Sequence, residues 1–269
     1  MTPPITDEQV SAFLDLGYLV LPACLPPDWQ ESLCREVDRW VDTDLRSDSI
    51  ACCTGRWASG SAPATMELEL GAHGWLVSYP PVMAALARLM GPAFAFHHMH
   101  SSRHDPGTRC KDWHHDYEQR PQRDRRHLMI HVLYYLTGLD GTIGDLVVLP
   151  GTQHIIAEKN ALAHVGERRL AGEVVIDSLP PGSAVVMHSA LFHARRAKLG
   201  GEGHPRYFVD CSYCQVGPRW PSVKPYWRHM LARAREMGLD HGEWPDLFDE
   251  RHFYDPVAPS DDKDVRAQL

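Results

Sequence analysis

The feature that most constrains the fold of this chain is a series of short β-rich segments between residues 92 and 216. Branched and aromatic residues dominate each segment, and glycine, proline or polar residues separate it from the next. Short strands at such regular spacing are typical of β-sandwiches and barrels. The segments read AFAFHHMHSS, WHHDYE, HLMIHVLYYL, GDLVVLPG, EVVIDSLPPG, SAVVMHSALFH and RYFVDCSYCQ.

Helical patterns flank the β region on both sides. Amphipathic periods with helix-start and helix-stop residues predict helices over 6–16, 26–42 and 80–91, and another over 225–238. Residues 44–66 show no clear period and predict a long loop, which is a candidate lid over a site. The sequence therefore predicts a mainly β fold with flanking helices.

A length of 269 residues is ordinary for one large β domain. We expect a single domain over residues 1–269. Within it, residues 1–91 form an N-terminal helical support, residues 92–216 form the core, and residues 217–269 form a C-terminal helix and tail.

Composition and charge exclude several classes of protein. A formal net charge of −8 argues against a nucleic-acid partner, which would require a basic face. No apolar run approaches the roughly 20 residues that cross a bilayer, so no membrane partner is expected. The first residues, MTPPITDEQ, lack the basic start and apolar core of a signal peptide. We expect a cytoplasmic protein, and its oligomeric state stays open.

The segment WHHD carries a candidate metal-binding pair. His114 and Asp116 are two residues apart, so on a strand both side chains leave the same face. Such a pair arises easily in a chain with 17 histidines, and a third ligand must come from a distant strand. SAVVMHSALFH offers His188 and His193. These residue types can form a 2-His-1-carboxylate triad, which leaves open positions on iron(II).

The segment from His127 to Leu136 predicts the wall of a cavity. One face carries only apolar or aromatic side chains, as a core requires, whereas the other mixes histidines with apolar residues. We interpret the mixed face as the inner wall of a reaction cavity, and the alternative is a solvated outer face. The mixed face consists of His127, Met129, His131, Leu133 and Tyr135.

The order of these motifs resembles the phytanoyl-CoA dioxygenase family over most of residues 6–215. The resemblance is carried by GYLVLP, a helix, WHHD, GDLVVLPGTQH, PGSAVVMHSALFHA and RYF, and SSRHDPGTRCKDWHHDYE looks especially like ectoine hydroxylase. It implies a double-stranded β-helix, a jelly-roll or cupin-like barrel. It also implies an oxygenase that uses iron(II), 2-oxoglutarate and O2 on a small-molecule substrate.

The resemblance implies roles for individual residues. His114, Asp116 and His193 match the iron ligands, and His188 is the alternative second histidine. Arg206 in HPRYF matches the basic residue that holds the distal carboxylate of 2-oxoglutarate.

The sequence departs from the family pattern near the co-substrate. Arg195 stands where relatives often have a small polar residue, so Arg195 or Arg196 could compete with Arg206, although both are expected at the surface. His131 falls near the co-substrate and is a candidate to bind it. Location alone recommends three substrate-side candidates, which are Trp57, His100 and Tyr135.

The resemblance favours hydroxylation, because related halogenases lose the carboxylate that Asp116 supplies here. Desaturation, cyclisation or epimerisation at the same site, a non-redox metal-binding cupin-like protein, and a binding protein with a degenerate site are the alternatives. A basic cluster after the HxD pair favours either an anionic substrate or a solvated loop. The cluster consists of Arg120, Arg123, Arg125 and Arg126.

Overall fold

The computed structural model describes residues 5–54, 61–119, 121–122, 125–198 and 203–256. Helices dominate the first ninety residues, and one more helix follows the strands. Gly17 ends the first helix in a left-handed conformation with φ at 84°. The helices are α1 (Asp7–Leu16), α2 (Pro27–Asp42), α3 (Asp44–Cys53), α4 (Gly71–Val77), α5 (Pro80–Met90) and α6 (Trp227–Glu236).

The strands form a larger and a smaller sheet, with two short two-stranded ribbons beside them. The strands are β1 (Tyr18–Leu21), β2 (Phe94–His104), β3 (Lys111–His114), β4 (Met129–Tyr135), β5 (Leu139–Asp140), β6 (Asp145–Val148), β7 (Val174–Ile176), β8 (Ser178–Leu179), β9 (Ser183–His188), β10 (His193–Arg196), β11 (Arg206–Gln215), β12 (Trp220–Pro221) and β13 (Phe253–Tyr254).

The larger sheet has the order β1-β9-β4-β11-β2, and the smaller has the order β3-β10-β6-β7. Both sheets are antiparallel, and residues of both line one cavity, so they face each other as the two halves of a double-stranded β-helix. Among the described residues the two sheets are not hydrogen-bonded into a closed barrel. The predicted mainly β fold is confirmed.

Strand β4 shows how the sheet separates core from cavity. Ile130, Val132 and Tyr134 belong to the main hydrophobic core, which α1, α2 and α5 also enter. His131, Leu133 and Tyr135 point to the other face and line the cavity. The prediction that this face forms a cavity wall holds for these three residues, whereas Met129 packs in the main core and His127 does not line the cavity.

The N-terminal region differs from its prediction in two segments, because helix α4 was not predicted and the expected loop contains a further helix. Residues 44–53 of the expected loop form helix α3, and Thr43 caps its first turn by accepting a hydrogen bond from the Leu45 amide. The apolar residues of α3 do not gather on one stripe, so the sequence carries no helical period there. A lid role for residues 44–66 and the expected division of the domain stay predictions.

Among the described residues, no helix has the length and apolar character needed to cross a lipid bilayer. The expected cytoplasmic location stays a prediction.

Candidate metal centre and its cavity

The predicted ligands meet where the smaller sheet faces the cavity. His114 ends β3 and is paired with His193, the first residue of β10. Asp116 follows two residues after His114, and its amide donates to the Ser189 carbonyl oxygen at 2.7 Å. One ligand atom from each of the three side chains lies within 4.8 Å of the others. The strand pairing therefore assembles a triad from distant parts of the sequence.

Hydrogen bonds orient both imidazoles of the triad. Nδ1 of His114 donates to the Asp112 carbonyl oxygen at 2.7 Å, and Nδ1 of His193 donates to the Leu191 carbonyl oxygen at 3.0 Å. Each Nε2 then faces the Asp116 carboxylate, at 3.8 Å from His114 and 3.2 Å from His193. A backbone acceptor at one ring nitrogen is the usual way in which a protein fixes the other nitrogen for a metal.

The electrostatics of the triad fit a divalent cation. Burial, reinforced by the neighbouring His193, lowers the pKa of His114 to about 3, so His114 is neutral at neutral pH. Burial works against ionisation of Asp116, but the two triad imidazoles hold the pKa of Asp116 well below its usual range. A carboxylate and an imidazole lone pair thus point at one buried place. A divalent metal with open coordination positions would satisfy both.

The alternative ligand His188 and the neighbouring His115 are held elsewhere. His188 stacks between Phe13 and Tyr117, and its Nδ1 accepts a hydrogen bond from the Ala190 amide. His115 points away from the triad, and its Nε2 donates to the Ala157 carbonyl oxygen at 3.0 Å. The structure groups His193, rather than His188, with the HxD pair.

The triad opens onto a cavity of about 520 Å³ between the two sheets. Arg206 at the start of β11 lines this cavity and is buried. Its guanidinium donates to the Gly144 carbonyl oxygen at 2.9 Å and to Nδ1 of His104 at 2.8 Å. The rings of Tyr135 and Phe208 lie about 5.5 Å from it, within cation–π distance. Arg206 is therefore held rigidly against the cavity.

Arg195 and Arg196, the two arginines that could compete with Arg206 for the co-substrate, differ in position. Arg196 forms a bidentate ion pair with Glu173 and does not line the cavity. Arg195 does line it and is only 5% exposed, so its expected surface position was wrong. Nη1 of Arg195 donates to the carbonyl oxygens of Thr108 and Arg109 at 2.8 and 3.0 Å. Arg195 thus fastens the loop before β3 to the smaller sheet.

His131 belongs to a second polar cluster in the same cavity. Its Nδ1 donates to Asp210 at 2.7 Å and lies 2.9 Å from the Ser212 hydroxyl. His98 completes this cluster, in which ligand-type atoms also lie within 4.8 Å of one another. The sequence prediction did not include Asp210, which carries no local motif and reaches His131 only through the β4–β11 pairing.

The predicted substrate-side residues have different outcomes. His100 and Tyr135 line the cavity, whereas Trp57 lies outside the described residues. Arg125 stacks on the Tyr117 ring instead of lining the cavity. Arg120 and Arg123 also lie outside the described part of the chain. Sequence analysis did not predict four of the cations that line the cavity, among them Arg103 and Lys111. The other two stand in no motif. They are Arg46 and Lys224.

Comparison with known proteins agrees with this geometry. A family model described as phytanoyl-CoA dioxygenase matches residues 13–202. EctD from S. alaskensis, solved with 2-oxoglutarate and 5-hydroxyectoine, is 20% identical with a TM-score of 0.59, over 81% of this chain and 79% of EctD. HygX from Streptomyces hygroscopicus is 17% identical with a TM-score of 0.57, over 80% of this chain and 88% of HygX.

A third solved structure is that of an epimerase. The α-ketoglutarate-dependent epimerase SnoN from nogalamycin biosynthesis is 16% identical with a TM-score of 0.57, over 78% of this chain and 83% of SnoN. No curated protein matches the chain in sequence. At these identities the solved structures show a common fold.

Proposed function

The chain belongs to the phytanoyl-CoA dioxygenase family of iron(II)- and 2-oxoglutarate-dependent oxygenases, and we propose from this premise that it hydroxylates a small-molecule substrate. The observation that carries the proposal is the convergence of two histidines and one aspartate on a cavity that also holds a buried arginine. In the proposed site, His114, Asp116 and His193 hold iron(II), and Arg206 holds the distal carboxylate of 2-oxoglutarate.

The bound metal, together with 2-oxoglutarate and O2, supplies the oxidising chemistry and yields succinate, CO2 and an oxidised substrate. The protein supplies position and environment. The backbone acceptors at Asp112 and Leu191 keep the Nε2 atoms of His114 and His193 directed at one point. Asp116 contributes the negative charge that a divalent ion requires in a buried place.

Arg206 is suited to hold a carboxylate. A guanidinium stays charged at all physiological pH values and can form two parallel hydrogen bonds with a carboxylate. Burial and the positive charge of Arg206 lower the pKa of His104 to about 2, so this imidazole stays neutral and accepts from the arginine. Leu133 and Leu146 line the same cavity and offer apolar surface for the methylene groups of a diacid.

Asp116 supplies the carboxylate of the triad, which favours hydroxylation over halogenation. Epimerisation, cyclisation and desaturation would use the same ligand residues, and the common fold with the epimerase SnoN does not select between these outcomes. A protein that holds zinc without redox chemistry differs in a property that is directly measurable, because it would not form an iron chelate with 2-oxoglutarate.

The test is a spectroscopic titration that needs no substrate. Purified protein is loaded with iron(II) without oxygen, and 2-oxoglutarate is added while the weak visible charge-transfer band of the chelate is recorded. We expect the band in the wild type. We expect Arg206→Ala to raise the half-saturating concentration of 2-oxoglutarate by about tenfold or more, since a charge-assisted hydrogen bond is lost.

Arg196→Ala is the control, because it removes an arginine of β10 that is paired with Glu173 and does not line the cavity. This control should titrate like the wild type. An absent band in a protein that binds zinc tightly would reject the oxygenase and favour the non-redox alternative. Equal weakening by both substitutions would reject Arg206 as the specific anchor.

A further inference from the structure

Lys224 brings a positive charge into the cavity without a protein counter-ion. It lies between β12 and α6 and lines the cavity together with His98 and His100. Among the residues that the structure describes, none lies within hydrogen-bond or ion-pair distance of its ammonium group. Burial opposes its charge, but Tyr226 and Glu67 raise the pKa of Lys224 above its usual range, so the ammonium group is protonated.

The nearby carboxylates are engaged elsewhere. Glu67 accepts a hydrogen bond from the Ser101 amide at 2.7 Å, and Asp210 accepts from His131 at 2.7 Å. Glu118 forms an ion pair with Lys159, also at 2.7 Å. Asp116 is part of the proposed metal site. The acidic residues that line the cavity therefore leave Lys224 without a close partner.

Arg46 of α3 adds a second positive charge to the same region. It lines the cavity, and in the described part of the chain no acidic side chain comes within ion-pair distance of it. After burial, the charges of Lys224 and Arg46 are the next causes that lower the pKa of His100, to about 3. The positive charges of Lys224 and Arg46 thus both affect the imidazole of His100, so both cations lie near the same part of the cavity.

The two cations are held by elements that contact each other. The Ser49 hydroxyl of α3 lies 2.6 Å from the Tyr226 hydroxyl, two residues after Lys224. Both cations are half-buried, and a partly desolvated cation without a counter-ion is unfavourable, so a ligand anion would relieve the cost. Because Arg206 is assigned to 2-oxoglutarate in the proposed function, Lys224 and Arg46 are the cations of the cavity that are left to bind a second anion.

We propose that Lys224 and Arg46 form the substrate-recognition site and bind the carboxylate or phosphate group of an anionic substrate. This inference rests on the proposed function, because it assumes that 2-oxoglutarate occupies the Arg206 side. The neutral imidazoles of His98 and His100 lie beside the anion and add hydrogen-bonding capacity without adding charge. The site then selects an anionic substrate when the substrate binds, before any reaction at the metal.

The test measures binding by calorimetry on protein loaded with zinc, which is redox-inert. The protein is first titrated with 2-oxoglutarate, and the saturated complex is then titrated with phenylacetate, hexanoate and phenyl phosphate. The neutral counterparts are phenylacetamide, hexanamide and phenol. The variants are Lys224→Met and Arg46→Met, which keep side-chain bulk but remove the charge. The control is Arg35→Met, which removes an exposed arginine of α2 outside the cavity.

We expect at least one acid to bind saturably, and its neutral counterpart to bind about tenfold more weakly or worse. Lys224→Met and Arg46→Met should each weaken that acid by about tenfold and leave 2-oxoglutarate binding unchanged. Arg35→Met should change neither the affinity for the acid nor the affinity for 2-oxoglutarate. Failure of every acid to bind, equal binding of the neutral counterparts, or wild-type acid affinity in both variants would overturn the inference.

Two further results separate the inference from the proposed function. Loss of 2-oxoglutarate binding in Lys224→Met would make this lysine the co-substrate anchor, which overturns the inference but keeps the oxygenase. If the wild type does not bind 2-oxoglutarate at all, the proposed function fails. The acid titrations of the zinc protein would then still decide whether the two cations bind an anion.

Discussion

At the scale of single residues, the His131–Asp210 pair is a charged unit buried in the cavity wall. Burial lowers the pKa of His131, but the charge and the hydrogen bond of Asp210 outweigh burial and raise it above the usual range. The pair therefore stabilises the folded state fully below the ordinary histidine pKa of about 6.5. That stabilisation is lost as the pH rises through the raised pKa.

Asp210→Asn tests this account because it removes the charge and keeps a hydrogen-bond acceptor. We expect the pKa of His131 to fall, as measured by NMR titration of the histidine side chains. The urea midpoint of the wild type should exceed that of the variant at pH 6, and the difference should shrink as the pH rises. Asp177→Asn removes an exposed aspartate and should alter neither quantity. A difference in midpoint that does not vary with pH would contradict the charged pair.

At the scale of elements, α4 begins on a carboxylate supplied by another helix. Leu70 precedes α4 and gives no side-chain cap. Glu36 of α2 accepts hydrogen bonds from the amides of Ala72 and His73 at 2.8 and 3.0 Å, and from Nδ1 of His73 at 2.7 Å. A negative charge at this end also complements the helix dipole. The contact thus fixes α4 against α2.

Glu36→Gln should lower the free energy of unfolding by about 1–2 kcal/mol at pH 7, since it removes the charge from these hydrogen bonds. Burial raises the pKa of Glu36, but the bonds from His73 and Ala72 outweigh burial and lower it. The stabilisation is therefore present above the ordinary glutamate pKa of about 4.3 and is lost as the pH falls through the lowered value. Urea unfolding should show the difference vanish in acid.

The control for this element is Glu31→Gln, which changes an exposed glutamate on the same helix. It should leave the urea midpoint close to that of the wild type at both pH values. If Glu36→Gln behaves like this control, the three hydrogen bonds do not determine the stability of α4.

Helix α4 also shows where sequence analysis stops. The long strands β2, β4 and β11 and the helices α1, α2 and α5 were predicted because their side chains alternate or form an apolar stripe. Helix α4 contains two glycines, and its start is fixed by Glu36, which lies far away in sequence. A tertiary contact of this kind leaves no periodic pattern of apolar residues in the local sequence.

The residues of the candidate site also fall into two groups, those that the sequence predicts and those that it does not. His114 and Asp116 are two residues apart, so local spacing was sufficient to predict that they act together, although Asp116 lies just beyond the end of β3. Lys224, Arg46 and Asp210 reach the cavity from three different elements, and no motif marks them. Only packing brings these charges to one place. The residues proposed to hold the metal were therefore predictable, and those proposed to select a substrate were not.

At the scale of the whole molecule, metal binding and folding should be coupled. The triad exists only when β3 pairs with β10, because its ligands come from two distant segments. A metal that binds the folded chain alone adds about 2.7 kcal/mol to the free energy of unfolding at a concentration one hundred times its Kd. We expect zinc to raise the Tm of the wild type accordingly, as measured by scanning calorimetry.

The two ligand clusters of the cavity make this prediction selective. Asp116→Ala should abolish the zinc-dependent rise in Tm, because the buried triad loses its only anionic ligand. Asp210→Asn should retain the rise, since His131 and Asp210 already satisfy each other by a hydrogen bond and do not require a cation. His164→Ala removes an exposed histidine outside the cavity and should also retain it. The opposite pattern, with loss only in Asp210→Asn, would move the metal to the second cluster and leave Asp116 without its proposed role.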